Sequence, residues 1–444
     1  MAGGFRGGDR TGAGELQDTE RSAEGAGGNA VASGVWFEGQ DMRKQKILII
    51  IIILVIPWIV SCGGEGEVIH GLKMTEVSEE DLQSGIMDEE AGTGQTADTE
   101  QQGQPVPGPE RPAVRGIYVT GPVAGSERMS DLITLVDATE LNTMVIDVKN
   151  DDGEITWKME TDSVVEMGNG VAYIRDIGTL MKTLKEHDIY TIARIVCFKD
   201  PVFAQNHADS ALRKPDGGFV TDAYGLAWVN PYDEEVWAYL TEIAQAALDV
   251  GFDEIQFDYV RFPIGEDADA ADYKTDMSVY TKEQAISGFL SYAGERIHER
   301  GGVVTADVFG TVIDSPTDIE RVGQNYAELG KRVDVLSPMV YPSHYGPGVF
   351  GFDVPDAHPY DTVYQALMLS RKVLGQDEEE NCAAVRPWLQ AFTATWVSGH
   401  ISYEAEQIQE QIQAVYDAGY EEWILWNATC RYPMDISLEE QTED

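Results

Sequence analysis

Two aspartates in short, mostly apolar segments are the residues of this chain best suited to chemistry. Asp258 lies in GFDEIQFDYVRFP, which spans Gly251–Pro263, and Asp307 lies in GVVTADVF. Two close carboxyl groups can divide the work of glycosidic bond cleavage: the ionised one attacks the anomeric carbon, and the protonated one gives its proton to the leaving oxygen. This pattern predicts a retaining mechanism with Asp258 as the nucleophile and Asp307 as the acid/base. Alternatively, each aspartate is a structural partner of a neighbouring arginine such as Arg261.

The segment around Asp258 alternates between apolar and polar side chains, with Ile255, Phe257 and Tyr259 on one face and Glu254, Gln256 and Asp258 on the other. A period of two predicts a β-strand. Burying unpartnered polar groups costs about 2–7 kcal/mol each. A barrel whose interior opens onto a polar active site removes this conflict, because the carboxyl ends of barrel strands carry the catalytic groups.

Eight strand-like segments alternate with helix-like segments from Arg115 onward. They are Gly116–Thr120, Thr143–Lys149, Tyr190–Phe198, Asp253–Phe262, Gly302–Phe309, Val333–Tyr341, Arg386–Thr393 and Glu422–Thr429. Strict alternation predicts a parallel sheet, and eight such strands predict an α/β fold, a single (β/α)8 TIM barrel, over residues 111–444. The alternative is an open doubly wound sheet, but the first strand continues into TGPVAG, which lacks the G-x-G-x-x-G turn of nucleotide-binding sheets.

Asp258 and Asp307 belong to adjacent predicted strands, which lie about 4.8 Å apart in a sheet. Their carboxyl groups can therefore approach the separation of about 5–5.5 Å that retaining glycosidases use. Further side chains at the predicted strand ends are expected to bind a sugar through hydroxyl contacts and ring packing: Asp147, Lys149, Arg261, Tyr341, His344, Gln390, Trp426 and Asn427. Asp147 and Lys149 could instead form an ion pair. No two histidines have metal-ligand spacing and no CxxC pair occurs, so we expect neither a metal nor a cofactor.

The composition limits the classes of partner. The chain has 444 residues, with 77 Asp and Glu against 31 Lys and Arg, and a formal net charge of -46. Such a chain repels nucleic acid and anionic membrane surfaces. Of its four cysteines, Cys197, Cys382 and Cys430 leave at least one thiol unpaired once Cys62 is set aside. A disulfide framework is therefore not expected, and Cys197 and Cys430 are interpreted as packed thiols.

The N-terminal part is interpreted as an export signal followed by a tether. A basic start at Met42 precedes fourteen mostly apolar residues, Ile47–Val60, and the sequence Ile-Val-Ser-Cys that ends at Cys62. This order is typical of a secretory signal over residues 42–62, and its last four residues resemble the lipobox of bacterial lipoproteins, with Cys62 as the lipidated residue. The alternative is an uncleaved anchor, although fourteen helical residues span only about 21 Å of a core about 30 Å thick.

Both interpretations place the rest of the chain on the outer face of the bacterial cytoplasmic membrane. Residues 63–110 are rich in Glu, Asp, Gly and Gln and predict a disordered acidic linker. Residues 1–41 precede the better start at Met42 and are interpreted as a disordered or misplaced upstream extension.

Several motifs point to a family. RGIYVTG, VIDVKNDDGEITW, ARIVCFKDP, EIQFDYVRFP, LSPMVYPSHY and WILWNATCRY, among others within residues 113–432, resemble a bacterial family known as the putative glycosyl hydrolase domain. More distantly, the pattern is similar to the α-amylase and α-galactosidase superfamily. The resemblance implies an Asp nucleophile on strand four, matching Asp258, and an acid/base from strand five or later, matching Asp307.

The resulting hypothesis is a surface-anchored, retaining glycoside hydrolase that acts on a poly- or oligosaccharide. Two alternatives remain open: a glycan-binding barrel without catalysis, and a transglycosylase or lyase of the cell envelope.

Overall fold

Short parallel strands close into one barrel in the computed structural model, which describes residues 111–376 and 382–433. The strands are β1 (Arg115–Val119), β2 (Thr143–Lys149), β3 (Tyr190–Val196), β4 (Glu254–Asp258), β5 (Val303–Phe309), β6 (Val335–Met339), β7 (Ala384–Val385), β8 (Trp388–Gln390) and β9 (Trp423–Trp426). β5 pairs with β6 and β1 pairs with β9, so the sheet has no edge. β7 and β8 both pair with β6 and share the seventh place. The predicted eight-stranded TIM barrel is confirmed.

Twelve α-helices lie between the strands in the part of the chain that the structure describes. They are α1 (Gly121–Ala124), α2 (Arg128–Asp137), α3 (Asp162–Met167), α4 (Ile177–Glu186), α5 (Pro201–Asn206), α6 (Glu234–Asp249), α7 (Glu266–Asp269), α8 (Lys282–His298), α9 (Pro316–Val322), α10 (Tyr326–Leu329), α11 (Pro359–Leu374) and α12 (Ala405–Asp417). None of them is long and apolar enough to cross a membrane. The predicted signal segment, Cys62 and the acidic linker lie outside the described residues.

Of the eight predicted strands, only the second keeps its predicted bounds, and two of the others differ for clear local reasons. The fourth strand was expected to run to Phe262 but ends at Asp258, because Tyr259 has a φ of +50° and leaves the extended conformation. The seventh was expected to begin at Arg386 and run unbroken. It begins at Ala384 and is interrupted at Pro387, which has no N–H for the ladder.

The apolar core surrounds the barrel wall. Phe257 of β4 points outward and packs edge-on against Phe289 of α8, with ring centroids 5.1 Å apart. Phe198, just after β3, meets the same ring at 5.3 Å. The alternate residues of β4, Glu254, Gln256 and Asp258, point into the barrel and are all buried. The helices therefore cover the apolar face of the sheet, and the inside of the barrel carries the polar groups.

An ion-pair cluster fills the end of the barrel where the strands begin. Arg386 lies between Glu254, at 2.5 Å, and Glu422, at 2.9 Å. Arg386 and Glu254 have no exposed surface, and Thr305 also donates to Glu254. In TIM barrels this end supports stability, whereas chemistry takes place at the other end.

Replacing Arg386 by methionine is expected to lower the free energy of unfolding by about 3–5 kcal/mol, because it leaves Glu254 buried without a counter-charge. Urea unfolding measures this loss. Arg300→Met is the matched control, since Arg300 makes a 3.6 Å pair with Asp249 at the surface, where such pairs contribute about 0–1 kcal/mol. Adding Glu254→Gln to Arg386→Met should restore part of the stability. Equal losses for Arg386→Met and Arg300→Met would contradict the role given to the buried cluster.

Candidate active site

Three charged side chains converge at the carboxyl ends of β2, β3 and β4. Arg194 donates from Nε and Nη2 to one oxygen of Asp258, at 2.9 and 2.5 Å. Its Nη1 donates to Asp147 at 2.7 Å. All three residues are buried. Charge-assisted hydrogen bonds of this kind are short and strong, so Arg194 balances two buried carboxylates and fixes their positions.

The other oxygen of Asp258 is held by the chain itself. The backbone N–H of Tyr259 donates to Oδ1 of Asp258 at 2.6 Å. Tyr259 adopts this position with a φ of +50°, a left-handed conformation that costs a non-glycine residue about 1–3 kcal/mol and that clusters at active sites. Both oxygens of Asp258 are therefore engaged, and the carboxylate has one fixed orientation.

Asp147 has a different environment. The hydroxyl of Tyr118 donates to its Oδ2 at 2.6 Å, on the side away from Arg194. Burial raises the pKa of Asp147 to about 6, although Arg194 and Tyr118 oppose that rise. Asp147 therefore keeps its proton to a higher pH than an ordinary aspartate does.

Asp307 lies beside Asp258 in the barrel wall. Phe257 of β4 is paired with Ala306 of β5, and each aspartate is the next residue on its strand. The amide of Gln256 and the indole Nε1 of Trp388, the latter at 2.7 Å, both donate to Oδ1 of Asp307. Its Oδ2 is buried and has no hydrogen-bond partner. Burial, followed by the nearby charge of Asp258, raises the pKa of Asp307 well above its usual range. Asp307 therefore keeps a proton under conditions in which ordinary aspartates are ionised.

A small cavity of about 260 Å³ opens above these groups and is lined by Arg194, Asp258, Tyr259, Met339, Tyr341, Trp388 and Trp426. Trp426 stacks on Tyr118 with ring centroids 4.0 Å apart and stands perpendicular to Trp388. Asp258 is the only carboxyl group among the lining side chains. Asp307 lies behind Trp388, whose indole is bonded to it. The cavity thus combines a fixed carboxylate with flat aromatic walls.

A second charge cluster supports Tyr259 from outside the cavity. Lys199 lies 2.6 Å from Asp151 and 3.8 Å from the centre of the Tyr259 ring. Burial alone would raise the pKa of Asp151, but Lys199 and Arg194 together lower it to about 2. Asp151 is therefore ionised at all physiological pH values and links the Lys199 cluster to Arg194, whose Nη2 is 3.7 Å away.

The structure brings five of the predicted site residues together in and around the cavity: Asp147, Asp258, Asp307, Tyr341 and Trp426. It places others elsewhere. Lys149 is fully buried, donates to the carbonyl of Val196 at 2.6 Å and pairs with Asp200 at 2.9 Å. The alternative pairing of Lys149 with Asp147 is therefore wrong, and its ammonium group has no surface that a substrate could touch.

Two predicted amides hold backbone instead of facing the cavity. Gln390 donates to Asp356 at 3.0 Å and accepts the N–H of Ser343 at 3.0 Å. Asn427 donates to the carbonyl of Ala391 at 2.6 Å. Both side chains fix the loops that rise from β6, β8 and β9.

Asp258 is the partner of an arginine, as the alternative interpretation expected, but that arginine is Arg194 and not Arg261. The Arg261 guanidinium lies over the rings of Trp228 and Phe309, 4.8 and 4.6 Å from their centres, and donates to the carbonyl of Phe262. His344 contacts the ring of Tyr341, with centroids 5.1 Å apart.

Arg194 is a residue of the candidate site that the sequence interpretation missed. It interrupts the apolar strand YTIARIV, and an arginine in a buried strand requires an acidic partner. That signal was available. The same holds for Tyr118 in RGIYV, whose hydroxyl needs a hydrogen-bond partner once it is buried.

Comparison with known proteins gives one family. The family described as "Putative glycosyl hydrolase domain" matches residues 116–432. No curated protein has significant similarity to the chain. The glycoside hydrolase domain of PgaB (BpsB) from Bordetella bronchiseptica has 15% identity and a TM-score of 0.52, covering 74% of this chain and 100% of that one. At this identity the likeness shows the barrel fold alone.

Two further solved structures are similar over parts of the chain. A hypothetical protein from Ruminiclostridium thermocellum has 37% identity and a TM-score of 0.40, covering 43% of this chain and 97% of its own. An α-galactosidase from Thermus thermophilus has 15% identity and a TM-score of 0.43, covering 73% and 60%.

Proposed function

The chain belongs to the putative glycosyl hydrolase domain family, and from this premise we propose that it is a retaining glycoside hydrolase acting on an oligo- or polysaccharide. One observation carries the proposal: Asp258 is a carboxylate with both oxygens held, at the surface of a cavity with aromatic walls. Sugar rings pack their apolar faces on such walls, while the polar groups contact their hydroxyls.

In the proposed reaction, Oδ1 or Oδ2 of Asp258 attacks the anomeric carbon and forms a glycosyl–enzyme ester while the glycosidic bond breaks. The leaving oxygen takes the proton of Asp307. A water molecule then attacks the same carbon, gives its proton back to Asp307 and releases Asp258. Arg194 keeps Asp258 in place and balances the negative charge of Asp258 whenever that carboxylate is not esterified.

The raised pKa of Asp307 and its place beside Asp258 support its role as the acid/base. Because Asp307 lies behind Trp388, proton transfer needs either one relaying water or a small movement of that indole.

Hydrolysis of a panel of α- and β-linked glycans by the purified protein tests the function. We expect new reducing ends, with the anomeric configuration of the first product retained in NMR spectra. Binding of a glycan without turnover would instead favour the non-catalytic glycan-binding barrel. Unsaturated products would favour a lyase, and transfer to a second sugar a transglycosylase.

Asp307→Asn is expected to lower kcat/KM by about 10²–10⁴-fold on glycans, but far less on activated aryl glycosides, whose leaving groups need no proton. In the wild type, activity should fall as pH rises and Asp307 loses its proton, and this alkaline limb should be absent from the variant. Rates over a range of pH values measure both effects. Asp188→Asn, exposed near the opposite end of the barrel, is the control. Equal losses on both substrate types would exclude Asp307 as the acid.

We also propose that the protein is exported and anchored at the outer face of the bacterial cytoplasmic membrane through a lipid on Cys62. The support is the order of basic, apolar and small residues before Cys62. Labelling of cells with a radioactive fatty acid tests it: the label should enter the wild type and the Cys382→Ala control but not Cys62→Ala.

A further inference from the structure

A second, larger cavity adjoins the first. It is a partly open space of about 560 Å³, solvent included, between the ends of β5 and β6 and helix α9, and its walls include Phe309, Thr311, Val322, Met339, His344 and Tyr345. Met339 also lines the small cavity, so the two spaces share a wall. His344 forms a second connection, because its ring contacts Tyr341 of the small cavity.

Gly310 makes this wall possible. A Cβ at Gly310 would lie 2.6 Å from the carbonyl oxygen of Met339 and closer still to the hydroxyl of Tyr345. Without a side chain there, Tyr345 can close against the turn after β5 and form one side of the larger cavity.

We propose that the larger cavity binds the leaving-group part of the substrate, and that its occupant is an uncharged glycosyl residue. The inference rests on the proposed function and adds to it the position and chemistry of the second subsite. The first reason is position: Met339 lines both cavities, so a substrate held against Asp258 would extend from the small cavity into the larger one.

The second reason is the direction of the reaction. Phe309 follows Asp307 by two residues on β5, so both side chains belong to the same face of that strand. The larger cavity therefore opens on the side of the proposed proton donor. A leaving oxygen must face that donor, and the group attached to this oxygen must extend beyond it.

The third reason is the chemistry of the walls. Phe309 and Tyr345 offer aromatic surface, and Thr311, Asp318 and Arg321 offer hydrogen-bonding groups in the same space. A pyranose ring has this combination of an apolar face and hydroxyl edges. Asp318 and Arg321 carry opposite charges, so the walls offer no excess charge for an ionic occupant.

The aromatic surface continues beyond this cavity. Phe392 lies 6.5 Å from His344 and stacks at 5.9 Å on Trp396, whose side chain is 47% exposed. Further sugar units of a long glycan would find a platform there, which fits an oligosaccharide better than a disaccharide.

Thr311→Trp tests the subsite, because Thr311 lines the larger cavity whereas Asp258 and Arg194 do not, and an indole there is expected to occupy that space. Two substrates with the same glycosyl group are compared: a glycosyl fluoride, whose leaving group needs no second cavity, and the corresponding oligosaccharide. The variant should lose at least about tenfold more kcat/KM on the oligosaccharide than on the fluoride. His344→Ala, which removes part of the wall, should change the same ratio and serves if Thr311→Trp does not fold.

Thr134→Trp, at an exposed position of α2, is the matched control and should leave the ratio unchanged. An equal loss on both substrates in Thr311→Trp and His344→Ala would overturn the subsite and leave the proposed hydrolase intact. If the wild type turns over neither substrate, the proposed function fails, and the subsite with it.

Discussion

Asp258→Asn is expected to lower kcat on glycans by at least about 10³-fold. The amide has the shape of the carboxyl group, and its oxygen can still accept the N–H of Tyr259. It is neutral, however, and cannot form the glycosyl ester. Initial rates on whichever glycan the panel identifies measure the loss, and circular dichroism verifies the fold.

A rescue experiment separates a lost nucleophile from a damaged site. In Asp258→Gly, azide can enter the space of the carboxylate, and turnover should return with an inverted glycosyl azide as the product. Asp188→Asn should retain full activity. Substantial activity of Asp258→Asn on glycans, without azide, would exclude Asp258 as the nucleophile.

Arg194→Met is expected to affect stability and activity together. The variant leaves Asp147 and Asp258 buried without their shared counter-charge, and breaking a buried ion pair in this way costs about 3–5 kcal/mol. Arg194 opposes the rise that burial causes in the pKa of Asp147, so its loss should raise that pKa further above about 6, while the value in the unfolded chain stays about 3.9. Folding then favours the protonated form of Asp147. The free energy of unfolding of the variant should therefore decrease as pH rises from the pKa of the unfolded chain to that of the folded variant.

Urea unfolding of Arg194→Met at pH 5 and pH 7 measures this effect, and the deficit relative to the wild type should be larger at pH 7. Adding Asp147→Asn removes one uncompensated charge and should recover part of the stability but none of the activity. A deficit that is the same at both pH values would show that unpaired carboxylates are not its cause.

The sequence predicted the barrel because its signals are local: alternation within strands, and strands alternating with helices. It also placed Asp258 and Asp307 on adjacent strands, where the structure has them. It did not predict which charged side chains form ion pairs when the two residues are far apart in the chain. Arg261 is the arginine nearest to Asp258 in the chain, but Arg194, 64 residues away, holds it. Lys149 pairs with Asp200 for the same reason.

Side-chain direction at strand ends was the other source of error. Gln390 and Asn427 are polar groups at the right end of the barrel, yet they satisfy the backbone of neighbouring loops. Buried loops need such partners, and a single sequence does not distinguish an amide that holds a loop from one that binds a sugar. The roles proposed for Asp258 and Asp307 remain predictions, as does the lipid on Cys62.

The ion-pair cluster at the end of the barrel where the strands begin has a consequence for synthesis of the chain. Arg386 follows Glu254 in the chain by 132 residues. The second neighbour of β1 in the sheet is β9, the last strand to be synthesised. While the chain emerges from the ribosome, the early strands therefore carry an unpaired acid and two open edges. Such long-range contacts make closure a late and slow event. Slow closure keeps a nascent chain unfolded for longer, and we expect this delay to favour the export proposed above.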